Sequence, residues 1–454
     1  MGCWNGGGGW ARPLTEKGGQ SRARRWVRPW ALGGSILLLL LCLPMLHPLR
    51  YPAEPAPEQR ALLSMIHQNT EGRLARVDTP PLSLRALNEP SPTFALVLTP
   101  PAYLLKRWGG LNFDDGATTM AYLLIALGVT LPAALSAGMI YRMARLFELS
   151  RPHRAALGLL CVAGSGLVGY ATTLNAHALS AALLIGAATA TLHALRCPVA
   201  WRGAAWAPVS GACVVLAASL DVAVVPAALL MPLVFLAWRV AWSMRLAAFA
   251  LFLVGAAPPA ALHEALHAGS LAAPLSELAA QPPIYRMDDR SDDPESGWAP
   301  WAAYHLDRVA RITFGDHGVF SHYPVLLFGA VGTFMLMHRH WPEAVKWLAA
   351  GTMLAAVLAV AAVALSRADL FDAGYATRWF VAFSPLLLFW AGAWLRKPHG
   401  RATWAIAAAL AAFSVATGMI GAARPMPPDG YSGYTAASAL RLLTTPPTNI
   451  ADGR

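Results

Sequence analysis

Groups able to move protons or hold anions are scarce in this sequence and far apart. Arg378 follows Asp369 and Asp372 at the head of an apolar stretch. A guanidinium at a helix start offers a planar fork to two oxygens of a phosphate, where the helix end itself favours anions. An ion pair with either aspartate is the plainer use of the same group. Asp221 interrupts a nearly unbroken apolar run from Val214 to Trp238. A charge at the bilayer centre costs about 2.5–3.5 kcal/mol on insertion scales, so Asp221 belongs at a surface between two helices, as a polar cap or lining a site. His177 is read either as lining that site or as an interfacial histidine. Glu58 and Glu89 are two of the carboxylates in the segment that follows the first apolar run. Glu58 opens a stretch with helical apolar spacing, where a helix dipole also favours a carboxylate that has no catalytic role. Glu89 precedes Pro90 and equally suits a turn.

Asp316, His317 and His322, with Asp288, Asp289, Asp292 and Asp293 upstream, have ligand-type side chains. Zinc and calcium need a defined ligand geometry, which a Pro- and Asp-rich loop does not promise. No metal or other cofactor is assigned, although a divalent ion is compatible. Trp298, Trp301 and Tyr304 suit stacking on a ligand or anchoring at a membrane interface. The sequence has no GxxxxGK(S/T), no GxGxxG opening a helix after a strand, no HExxH and no GxSxG. Readings as an ATP-driven pump, a dehydrogenase or a protease lose their usual support.

The elements that must position these residues follow from composition. Of 454 residues, 56% are hydrophobic and 13% charged, with a mean hydropathy of +0.45. Soluble domains carry about 25% charged residues, so lipid must solvate much of this chain. Its apolar blocks match the roughly 20 residues that cross a hydrocarbon core of about 30 Å. The net charge of +11 is spread over short clusters between those blocks, a pattern that sets topology and argues against nucleic acid as a partner. Five scattered cysteines form no CxxC pair and read as small buried hydrophobes. Basic residues Arg22, Arg24, Arg25 and Arg28 precede the apolar run Trp30 to Leu46, which reads as a retained first helix rather than a cleaved signal.

The fold class is therefore an all-α polytopic membrane protein. About eleven transmembrane helices are predicted near 30–48, 118–141, 155–174, 177–195, 204–220, 222–238, 246–263, 323–338, 345–366, 378–395 and 402–422. With residues 1–29 as a cytoplasmic tail, every short loop on that side is basic: Arg142, Arg145, Arg151 and Arg154; Arg196 and Arg202; Arg239 and Arg245; Arg339 and Lys346; Arg396, Lys397 and Arg401. The other side receives a first long loop (50–117), a second (264–322) and a tail (423–454), bracketing a membrane domain over 30–422. Long loops without structure of their own are uncommon unless functional, so the chemistry is expected there. In the first loop, Leu62, Leu63, Met65, Ile66 and Leu74 suggest an amphipathic interfacial helix over Glu58 to Val77. Phe94 to Leu105, broken at Pro100-Pro101, reads as a second interfacial or re-entrant element.

That arrangement resembles the GT-C glycosyltransferases, the protein O-mannosyltransferase-like and RgtA/B/C/D-like bacterial enzymes. Local strings carry the resemblance, in family order. Asn88-Glu89-Pro90-Ser91-Pro92-Thr93-Phe94 leads to Pro100-Pro101-Ala102-Tyr103. Thr172-Thr173-Leu174-Asn175-Ala176-His177 is similar to a short outside turn ending in His. Gly318-Val319-Phe320-Ser321-His322-Tyr323-Pro324 and Gly374-Tyr375-Ala376-Thr377-Arg378-Trp379 are similar to two later helix entries. The resemblance implies transfer of a sugar from a polyprenyl-phosphate donor to a glycan, lipid or protein acceptor on the periplasmic side of a bacterial cytoplasmic membrane. Glu58 and Glu89 would then be catalytic and Arg378 would bind the donor phosphate, with His177, Asp221, Asp372, His322 and Tyr323 lining the site. Membrane lipids would be its other partners. Pro57 stands where the family usually has the first acid of a pair that Glu58 would complete. A scaffold of the same fold that binds lipid or a partner without transfer is thus the alternative, and a transporter of lipid-linked sugar or small solute is a third.

Overall fold

The structure, a computed structural model, describes residues 32–34, 36–37, 39–40, 57–76, 91–113, 117–267, 298–315, 318–365 and 378–423. Its regular elements there are helices, and no strand occurs among the described residues. Residues 32–34, 36–37 and 39–40 are helical, and α1 (Pro57–Thr70) and α2 (Pro92–Gly109) follow before the apolar bundle. Then come α3 (Thr119–Phe147), α4 (Arg151–Ala163), α5 (Leu167–Tyr170), α6 (Ala176–Arg196), α7 (Ala200–Leu220), α8 (Val222–Leu236) and α9 (Trp242–Leu266). Next are α10 (Trp298–Thr313), α11 (Pro324–Met337), α12 (Glu343–Leu365), α13 (Ser384–Leu395) and α14 (Arg401–Ala423). Six of these, α3, α6, α7, α9, α12 and α14, are long and apolar enough to cross a membrane, while α8, α11 and α13 are shorter apolar helices.

Three expected elements take a different form. The stretch 155–174 is not one helix, because the chain unwinds at Gly164-Ser165-Gly166 between α4 and α5. Gly166 has φ +81, and a Cβ there would lie 2.9 Å from Cε2 of Tyr323. The left-handed backbone and the packed ring both demand glycine. The break foreseen at Pro100-Pro101 does not occur, and α2 runs through both prolines. Each proline removes one i→i−4 hydrogen bond. The helix persists because Phe94, Ala95, Leu98 and Ala102 bury one face, Ser91 caps its start and Gly110 in the left-handed region ends it. Finally, α1 stops at Thr70, so Leu74 lies beyond the helix and is exposed, while Leu62 and Ile66 are buried.

The core forms around large rings and small contact residues. Phe147 meets Trp341, Phe389 and Trp390 at ring-centroid distances of 5.8, 5.0 and 6.3 Å. Helices α7 and α9 touch backbone to backbone: a Cβ on Gly255 would stand 2.0 Å from the Pro208 carbonyl oxygen, and one on Gly211 2.1 Å from that of Phe252. Small residues of this kind let apolar helices approach where lipid gives no hydrophobic drive. Arg142, Arg145 and Arg196 gather at the ends of α3 and α6, and Arg396 bonds Glu148 at 2.8 Å. The candidate site lies at the opposite end of α6.

Candidate functional site

The turn between α5 and α6 is built by Asn175. Its amide nitrogen donates to the carbonyls of Tyr170 and Thr173, and its side-chain oxygen accepts from the Ala178 N–H at 3.2 Å, which starts α6. Two residues into that helix comes His177. Asp221 ends α7 and caps the first turn of α8, its Oδ1 accepting from the Ala223 N–H at 3.1 Å. Adjacent packing of α6 and α7 brings His177 Nδ1 to 2.7 Å from Asp221 Oδ2. The side chains are 15% and 1% exposed respectively. Against a carboxylate oxygen that accepts, Nδ1 is the donor and Nε2 is the other ring nitrogen.

Aromatic rings fix the imidazole. Tyr170 and Trp379 meet it edge to face, with centroids at 6.0 and 5.8 Å and interplanar angles of 88° and 83°. The guanidinium of Arg378 lies 4.1 Å from the Trp379 ring centroid, and both residues are buried. Trp379 itself packs against Ile312 of α10 and Val363 and Ala364 of α12. The assembly is a buried imidazole–carboxylate hydrogen bond with a buried guanidinium on the neighbouring ring. Its parts match what acid–base group transfer with an anionic leaving group requires.

The expected site residues divide as follows. His177, Asp221 and Arg378 come together. His322 and Tyr323 are buried one helical break away: His322 Nδ1 donates to the Gly318 carbonyl at 3.0 Å, and Tyr323 covers Gly166, at the opposite end of α5 from Tyr170. Glu58 falls in the first turn of α1, and its side chain lies outside the described residues. Glu89, Asp372, the acidic run Asp288 to Asp293, Asp316 and His317 also lie outside them. Among the described residues no group of three or more His, Cys, Asp or Glu could hold a metal ion.

Two features escaped the sequence reading. Tyr170 and Trp379 frame the imidazole, yet neither was assigned a role. Trp379 adjoins Arg378 in the chain, and Asn175 has the type and place of a helix cap that points back at Tyr170. A second cluster lies where α2 starts. Ser91 Oγ donates to the Ser219 carbonyl at 3.3 Å, Thr93 Oγ1 is 3.2 Å from His263 Nδ1, and His267 Nδ1 donates to the His263 carbonyl at 2.8 Å. The first two tie α2 to the ends of α7 and α9, Ser219 lying two residues before Asp221. No family model, curated protein or solved structure matches the chain.

Proposed function

We propose that this chain is a membrane glycosyltransferase of GT-C type that moves a sugar from a polyprenyl-phosphate donor to an acceptor hydroxyl on the non-cytoplasmic face. The observation carrying this reading is the buried His177–Asp221 pair with Arg378 beside it, at the end of α6 opposite Arg196, Arg142 and Arg145. In the proposed step, His177 Nε2 accepts the acceptor's hydroxyl proton while that oxygen bonds to the anomeric carbon. The bond from that carbon to the phosphate oxygen breaks, and its electron pair leaves on the polyprenyl phosphate. Arg378 binds the departing phosphate and Asp221 stabilises the imidazolium. Glu58 and Glu89 remain the carboxylates expected at the same rim. The reading carries with it the finer topology: about eleven spans, with 50–117 and 264–322 on the side of the site.

Release of polyprenyl phosphate from polyprenyl-phosphate hexose or pentose by reconstituted protein tests the proposal. Turnover by the wild type, lost in His177→Ala, is the expected result. Absence of both turnover and polyprenyl-phosphate binding overturns it. Pro57, the first residue of α1, favours the second reading, a scaffold that binds without transfer. Binding without turnover would select that one.

A further inference from the structure

Helix α10 lies outside the site's polar pair and presents three faces of different character. One face is covered. His305 Nδ1 and Arg308 Nη2 donate to the carbonyls of Ala364 and Val363 at 2.9 and 3.3 Å, Ile312 is buried, and Val309 packs beside it. Those two carbonyls belong to the last turn of α12, which has no intrahelical partners for them. The remaining surface splits in two. At 100° per residue, Leu306, Ala310 and Ala303 fall within one sector, and Phe314 extends it, since its N–H still bonds the Ala310 carbonyl at 2.8 Å. All four are exposed, Leu306 at 67% and Phe314 at 68%. The other sector holds the Asp307–Arg311 pair, at 2.7 Å and 57% exposed on both sides, and Tyr304 under Arg308.

Water on both open sectors leaves the apolar one without a solvent, and lipid on both desolvates the ion pair. A helix in the plane of the membrane surface satisfies each. The level agrees. The outward stripe of α12, Leu354, Val357, Leu358 and Leu365, ends one residue past the carbonyl that His305 caps. The apolar sector of α10 thus continues the surface on which a lipid-facing stripe terminates.

We infer that α10 is an in-plane docking helix whose Leu306, Ala310 and Phe314 sector seats in the outer boundary of the bilayer's acyl region. The Asp307–Arg311 sector faces water. Through Ile312 the helix abuts Trp379, so the lipid surface sets the depth of the ring that touches His177. This inference stands whether or not the chain transfers sugars.

The test uses full-length protein in phosphatidylcholine–phosphatidylglycerol vesicles, with the five native cysteines replaced by alanine and single spin labels at 306, 310, 307 or 311. Oxygen, which concentrates in lipid, should relax labels 306 and 310 more than a water-soluble nickel chelate does, with the order reversed at 307 and 311. The ratio of the two accessibilities should therefore lie on opposite sides of unity in the two sectors. Equal ratios at all four positions overturn the inference. A lipid-soluble photoactivated carbene on the unsubstituted protein gives the same answer without variants: modification confined to Leu306, Ala310 and Phe314 supports it, and modification spread evenly over α10, or absent from it, overturns it.

Discussion

The imidazole of His177 is held on its Nδ1 side by a carboxylate and on two edges by rings, so its tautomer and tilt are set before any ligand arrives. Replacing Asp221 by Asn keeps the shape but lets the amide donate, which favours the wrong tautomer. Under the proposed chemistry its turnover should fall roughly 10²-fold or more while donor binding changes little. Measuring kcat and KM separately checks this, and a change confined to KM would contradict it. Arg378→Lys tests the anion site in the opposite way. An ammonium keeps the charge but loses the two-pronged grip and the flat contact with Trp379, so polyprenyl-phosphate affinity should drop by about tenfold or more. Equilibrium binding to purified protein measures it.

At the level of elements, close approach of α7 and α9 depends on Gly211 and Gly255, whose missing side chains would meet backbone rather than flexible tips. Gly255→Val should therefore destabilise the bundle by about 1–3 kcal/mol, read as a lower melting temperature in detergent. It should also loosen the Thr93–His263 bond at the end of α9. A second element-level prediction concerns the α1–α2 pair. Glu71, just past α1, bonds Lys106 near the end of α2, and this ammonium holds the Glu71 carboxyl below its ordinary value of 4.5. A depressed folded value means the contact's contribution is complete above the unfolded value and disappears as pH falls through the lower, folded one. Hydrogen exchange in α1 should rise on acidification below about 4.5. The rise should be small because the pair is exposed and salt-screened, and Glu71→Gln should abolish it. How far elements can be read from sequence is visible in these same segments. Apolar length located α6, α7, α9, α12 and α14 within a few residues, because a helix in lipid must satisfy its own backbone. The break at Gly164 to Gly166 was hidden, since an apolar run reads alike whether straight or unwound. Only the distant ring of Tyr323 explains it. Likewise Arg378, His177 and Asp221 were identifiable as charged or polar groups at apolar boundaries. Their meeting was not, because it depends on which helices are neighbours.

For the whole molecule, the proposed topology predicts that reporters inserted near Glu58, near Ala268 and near Arg378 all report the non-cytoplasmic side, whereas one between Arg196 and Ala200 reports the cytoplasm. Opposite sides for Glu58 and Arg378 would separate the proposed carboxylate from the proposed phosphate site. The spacing of the clustered residues along the chain has a consequence for biosynthesis. His177 and Asp221 sit on successive long helices, so they can meet as soon as α7 has entered the bilayer. Arg378 and Trp379 emerge from the ribosome more than 150 residues after Asp221. A nascent chain halted between these points would hold the His177–Asp221 pair with neither the cation nor the indole beside it. The cluster is thus completed only once the chain leading into α13 has been made.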